Sequence, residues 1–169
     1  TVFAVAGHLG QKNDWPDSSS GVPHYPLLTG AELAMLARHG IEIGAHSVTH
    51  RSFTRLSADE ARRELVESKQ ILEQALGGPV TTFAYPYGAV TSESLDEARK
   101  HYRAACGVGM RLAHRSCDRH CIPRLDAYYF RRPGLFSLFG TSAGDIYIRL
   151  RGLGRKVRGM IGSPLKIWQ

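Results

Sequence analysis

The stretch Gly40-Ile41-Glu42-Ile43-Gly44-Ala45-His46-Ser47-Val48-Thr49-His50 decides how this chain is read. Residues 41–45 are a short, mostly apolar run behind a glycine, the length of a strand. A helix is expected just before them, because Thr29 and Glu32 stand at capping-box spacing and Gly40 ends the run. Behind the strand come two histidines, His46 and His50, four positions apart. That spacing puts both imidazoles on one side of a helical turn, within reach of one ion. Two histidines so spaced can equally be surface or capping residues. Their place behind a strand strengthens the metal reading, because ligands of parallel α/β sheets bind at the carboxyl ends of strands.

Outward from this segment the chain alternates strand and helix. Strands are expected over residues 1–6, 80–84, 104–108 and 121–125, and a helix around 93–101. Ser57 and Glu60 form a second capping box, opening a longer helix with Ala61, Leu65, Leu72 and Leu76 on one face and Gly77-Gly78-Pro79 at its end. A long polar loop over 7–28 follows the first strand. Repeated strand–helix–strand units imply a parallel sheet with right-handed crossovers. An open doubly wound sheet and a barrel both satisfy this pattern.

With 169 residues, 43% hydrophobic and 22% charged, the chain has enough material for one domain with a real core. No apolar run is long enough for a membrane helix, and no signal peptide is visible. Thr1 already lies in an apparent strand, so an upstream start is expected. The net charge of +7 is concentrated at one end: residues 1–148 carry sixteen basic and fifteen acidic side chains, while the tail adds six basic residues and no acid. The charge therefore describes a tail rather than a nucleic-acid-binding domain. Three cysteines, an odd number, make no disulfide framework.

A second cluster, Phe83-Ala84-Tyr85-Pro86-Tyr87-Gly88, also closes a strand. Pro86 biases Tyr85 away from helix, and Gly88 permits an unusual turn. Such a turn can aim a backbone N–H into a pocket, as an oxyanion requires. It can also be a plain strand-ending turn with two aromatics on the rim.

Taken together, IGAHSVTH (43–50 with the preceding GIE), Leu56-Ser57 and FAYPYG resemble the NodB-homology polysaccharide deacetylases, carbohydrate esterase family 4. The opening Thr1-Val2-Phe3-Ala4-Val5 resembles that family's second strand, and Ile122-Pro123-Arg124 resembles a late motif of bacterial members with the FAYPYG variant. The resemblance covers about residues 1–126. It implies a distorted (β/α) barrel, here missing its first strand, that removes N-acetyl groups from an amino-sugar polysaccharide of the envelope or an exopolysaccharide. It implies Zn2+ or another divalent metal held by His46 and His50, with the backbone N–H of Tyr87 facing the oxyanion. Tyr85, Pro86 and Trp15 are the expected substrate-binding residues.

The family's first motif, an Asp pair giving the catalytic base and the third metal ligand, would lie upstream of Thr1. Nothing within the chain replaces it: Asp14 and Asp17 fall in a loop, and Asp59, Glu60, Asp96 and Glu97 in helices. Residues 1–169 alone are therefore expected to be inactive. The alternative is a non-catalytic carbohydrate-binding relative or truncated remnant. The general acid has no clear match, His114 and His120 being the nearest candidates. His114, Cys117, His120 and Cys121 also form a dense cluster that could hold a second metal.

The expected organisation is a deacetylase domain over 1–142 and a basic helical tail over 143–169. In the tail Ile146, Leu150, Leu153, Val157 and Met160 recur at helical spacing. Two readings follow: a last helix packing this face on the barrel with a solvated basic face, or attachment to an anionic membrane surface (through 149–169) or an acidic polymer. The partners expected are an acetylated polysaccharide and no nucleic acid, in a bacterial cytoplasm or envelope, with the oligomeric state open.

Overall fold

The computed structural model describes residues 1–15 and 23–160, with side chains through Gly154. Four short strands form one parallel sheet among the described residues: β1 (Val2–Ala4), β2 (Ile43–Ala45), β3 (Thr82–Ala84) and β4 (Ala104–Cys106), in the order β1-β2-β3-β4. Ala4 pairs with Ala45, Ala45 with Phe83 and Phe83 with Ala105, so one row crosses the sheet just before the strands end. Helices α1 (Gly30–Arg38), α2 (Ala58–Leu76) and α3 (Ser92–His101) connect them, and α4 (Ser142–Met160) follows. An order without reversal means that successive crossovers wind in one sense, as in a segment of a (β/α) barrel. A doubly wound sheet needs a switch point, and this one has none among the described residues. Consistently, α2 packs between α1 and α3.

The helix starts follow the capping chemistry. Thr29 accepts from the Glu32 backbone N–H and Ser57 from that of Glu60, each carboxylate reaching back to the cap N–H. Thr91 and Ser94 make a third box, in front of α3. At the far end of α2, Gly77 adopts the left-handed conformation (φ 66°) that closes a helix.

The core lies between the sheet and these helices. Phe53, Phe83 and Tyr85 meet edge to face at centroid distances of 5.1–5.8 Å, and Phe83 also packs on Tyr102. Leu33, Leu65, Leu72 and Val80 fill the space around them.

Two features depart from expectation. The segment at 121–125 is not a strand: Ile122 makes only an isolated parallel bridge to Cys106, although the Ala105 N–H donates to Arg119 and the Gly107 N–H to Ile122. Beyond Ile122 the pairing weakens to one longer bond, from the Gly109 N–H to Arg124 at 3.3 Å. The face of α4 that is buried is also not the expected one. Ile148 is buried, with Gly144 and Gly152 one turn to either side, while Ile146, Leu150 and Leu153 are exposed. Close approach selects this face: a Cβ on Gly144 would sit 2.1 Å from the Leu138 carbonyl oxygen. Val157 and Met160 lie outside the described side chains.

The described residues divide into two compact units, Thr1–Gly107 with Asp118–Ile122, and Val108–Cys117 with the residues described from Pro123 onward. The sheet and α1–α3 belong to the first, α4 to the second. The boundary expected at 142/143 falls inside the second unit.

Candidate functional site

Behind β2 the chain leaves the sheet through two residues with left-handed backbone, Ser47 (φ 66°) and His50 (φ 57°), neither of them glycine. Such conformations are uncommon for residues with a Cβ and persist only where the surroundings hold them. The holding contacts are specific. Ser47 Oγ accepts from the His50 N–H at 2.9 Å. Glu64 of α2, buried in the helix face toward the sheet, accepts from the Val48 N–H at 2.7 Å and from the Thr49 N–H at 3.0 Å through one oxygen, and from Thr49 Oγ1 at 2.5 Å through the other. From the β1 side, the Ala6 N–H donates to Ser47 and the Gly7 N–H to Val48. Gly7 is needed for that approach, since a Cβ there would lie 2.6 Å from the Val48 carbonyl oxygen.

This scaffold turns His46 and His50 toward each other, with ring centroids 4.8 Å apart and the planes nearly perpendicular. His46 Nδ1 lies 2.5 Å from the carbonyl oxygen of Ala84. A carbonyl only accepts, so Nδ1 carries a proton, and in the neutral ring the lone pair is on Nε2. His50 Nδ1 is 3.2 Å from the hydroxyl of Tyr87, and Trp15 stacks on the His50 ring with centroids 4.1 Å apart. The loop after β2 and the loop after β3 therefore meet at the carboxyl ends of adjacent strands. In the second loop, the left-handed turn falls on Tyr87 (φ 58°) and Gly88 (φ 67°). A cavity of about 190 Å³ beside the site is lined by His46, His8, Trp15 and residues of β1.

Residues 1–105 match the model of the polysaccharide deacetylases, which is more than half of the chain. The chain belongs to this family. Among curated relatives, the peptidoglycan-N-acetylmuramic acid deacetylase PdaC of Bacillus subtilis is 34% identical over 74 residues, 44% of this chain and 15% of its own length. YxkH of the same organism is 25% identical over 100 residues, covering 59% of this chain and 31% of that protein. The chain thus spans less than a third of the length of these relatives. The Streptococcus pyogenes deacetylase PplD, solved in complex with acetate, shares the fold with a TM-score of 0.57 at 22% identity, over 59% of this chain and 45% of its own.

The expected site residues are not all placed alike. His46, His50, Tyr87 and Trp15 come together. Tyr85 does not join them: its ring is fully buried against Phe53 and Phe83, and its hydroxyl makes no hydrogen bond among the described residues. Burial above all, then the Cys121 thiol and the Asp118 carboxylate, pushes that hydroxyl above the ordinary tyrosine range. Pro86 is likewise fully buried. Neither side chain offers a surface to a polymer, because both are fully enclosed. One face of the Trp15 ring, expected to stack on sugar, is taken by His50.

His120 lies elsewhere. Its Nε2 is 2.9 Å from the carbonyl oxygen of Tyr102, which precedes β4, so it sits at the amino end of the sheet. Among the described residues no group of three or more His, Cys, Asp or Glu side chains is arranged to hold a metal. That includes His114, Cys117, His120 and Cys121.

The donor chemistry at His46 and His50 nonetheless suits a divalent cation: two imidazoles face each other, and one has its tautomer fixed by a backbone carbonyl, the usual support of a metal-binding histidine. The set is one donor short of the three that a catalytic zinc takes from protein. Sequence reasoning missed Glu64 and His8. The signal for Glu64 was present, as a carboxylate inside the apolar stripe Ala61, Leu65, Ser68 and Leu72 of α2. His8 had none, since only the fold of the loop carries it to Trp15.

Proposed function

We propose that the protein to which this chain belongs removes N-acetyl groups from an amino-sugar polysaccharide with the help of a divalent metal ion, zinc being the best match to imidazole donors. The observation that carries the reading is the hydrogen bond from His46 Nδ1 to Ala84, with the His46 and His50 rings 4.8 Å apart. It joins the two loops of the family resemblance in one pocket and leaves an imidazole lone pair directed away from the backbone. His46 and His50 would hold the ion, which would polarise the acetyl carbonyl and make water a better nucleophile.

The remaining work falls to the chain. Glu64 and Ser47 hold the histidine loop in its left-handed path, Trp15 and Tyr87 fix the plane of His50, and the Tyr87 backbone N–H is the proposed donor to the developing oxyanion. The third ligand and the general base are proposed to come from an acidic segment outside residues 1–169. A positioned base supplies on the order of 10²–10⁴ in rate, so these residues alone should turn over little substrate.

The second reading, a non-catalytic carbohydrate-binding relative, is favoured by one observation: only two donors converge among the described residues. Acetate release from a chitooligosaccharide, a peptidoglycan and an acetylated exopolysaccharide by the full-length protein decides between them. The expected result is release that chelation abolishes and zinc restores, and that His46→Ala and His50→Ala each eliminate. A full-length protein that binds the oligosaccharide but releases no acetate with any divalent metal supports the second reading instead. Release unchanged in His46→Ala and His50→Ala would remove these histidines from the mechanism.

A further inference from the structure

The second unit carries a feature that deacetylation does not use. Along α4, Ile146, Leu150 and Leu153 follow at i, i+4 and i+7 and are 59%, 65% and 64% exposed. The opposite face, Gly144, Ile148 and Gly152, is the one turned inward, with Ile148 only 2% exposed. The apolar stripe thus points away from its own unit, and in sequence Val157 and Met160 continue its spacing. Arg149, Arg151, Arg155, Lys156 and Arg158 are interspersed with it, and no acidic residue follows Asp145. The same unit exposes Phe136 and Phe139, whose rings stack on each other.

We propose that α4 is an interfacial helix that lays its outward apolar stripe on an anionic membrane surface. An exposed apolar stripe flanked by cations is what such a surface recognises: apolar side chains enter the boundary between headgroups and acyl chains, and the cations remain among the phosphates. Other occupants satisfy only half of the pattern. A second copy of the chain would cover the stripe but set two strongly cationic helices, each with Asp145 as its one acidic residue, against each other. A nucleic acid would neutralise the cations and leave the leucines in water. The helix would lie on the membrane and not cross it, as no helix among the described residues is long and apolar enough to span one. The inference does not depend on the catalytic reading.

Co-sedimentation of the full chain with vesicles tests it. Vesicles of phosphatidylcholine with phosphatidylglycerol should bind the protein at low salt and release it at high salt, while phosphatidylcholine alone binds little. Leu150→Ser with Leu153→Ser should abolish binding, and because both side chains are exposed, the thermal melt should be unchanged. Lys156→Gln with Arg158→Gln should lower partitioning about thirtyfold, since each cation near an anionic surface contributes on the order of 1 kcal/mol. The proposal is overturned by equal binding to both vesicle types or by binding to neither. A charge variant that binds like wild type overturns it too, as does a dimer in sedimentation velocity that the Leu150→Ser, Leu153→Ser variant dissociates without vesicles present.

Discussion

The two compact units of this chain solve the problem of apolar surface in opposite ways. In the first, three helices cover one sheet, and Phe53, Phe83, Leu65 and Leu72 are fully enclosed. In the second, Ile148 and Phe130 are buried, while Phe136 is 74% exposed and a stripe of α4 faces outward. Precise placement of side chains goes with the enclosed unit, where every left-handed residue of the histidine loop is held by a buried partner. The other unit leaves apolar side chains exposed, and these form the surface proposed above to meet an anionic membrane.

That contrast can be broken most directly in the aromatic core. Phe83→Ala should destabilise the first unit by about 3–5 kcal/mol, the cost of an aromatic cavity with incomplete relaxation, read by urea denaturation followed through tryptophan fluorescence. A loss below about 1 kcal/mol would mean that the core is far looser than its packing implies.

Glu64→Ala should come next, at about 2–3 kcal/mol, because two half-buried backbone N–H groups and the Thr49 hydroxyl lose a charged acceptor. It should also weaken divalent binding by the full-length protein about 10–100-fold, since the loop carrying both histidines loses its brace. Calorimetric zinc titration reads this, and Glu64→Gln, which keeps one oxygen, should recover part of the loss.

Removing the cap of α2 by Ser57→Ala should cost about 1 kcal/mol. Its partner adds a pH dependence. Hydrogen bonds from the Ser57 N–H and hydroxyl, helped by Arg51, hold the Glu60 carboxyl down at about 2, from an ordinary 4.5. A carboxyl with a lowered folded-state pKa stabilises above its unfolded value, so this contribution is present at neutral pH and fades as pH falls from about 4.5 toward about 2. Acid titration of the melting temperature should be flatter in this range for Glu60→Gln.

The smallest effect is expected in the second unit. Phe136→Ser should change stability by no more than about 0.5 kcal/mol, as for other exposed positions. A large loss there would show that the exposed aromatics are part of a core after all and would erase the contrast between the units.

Much of the first unit was legible in the sequence because its signals are local. The capping boxes at Thr29 and Ser57 are four-residue patterns whose hydrogen bonds form wherever a helix begins, and both are present. Strands ending before His46 and before Tyr85 could be read from apolar runs, as could the family, from motifs in fixed order. What could not be read depends on depth. Tyr85 and Tyr87 are chemically the same two positions apart, yet one is sealed in the core and the other stands exposed beside His50. The 121–125 segment looked like a strand and pairs at one bridge only.

The sequence by itself determined the alternation of strand and helix, the helix starts and the membership of the polysaccharide deacetylases, because each rests on contacts between near neighbours or on ordered motifs. Only the tertiary structure decided that Glu64 braces the histidine loop, that Trp15 covers His50, and that α4 turns Ile148 inward and its larger apolar stripe outward. Those outcomes depend on how closely backbones from distant parts of the chain can approach, as at Gly7 against Val48 and Gly144 against Leu138. Hydrophobic spacing records which residues share a face, and close packing chooses which face is buried.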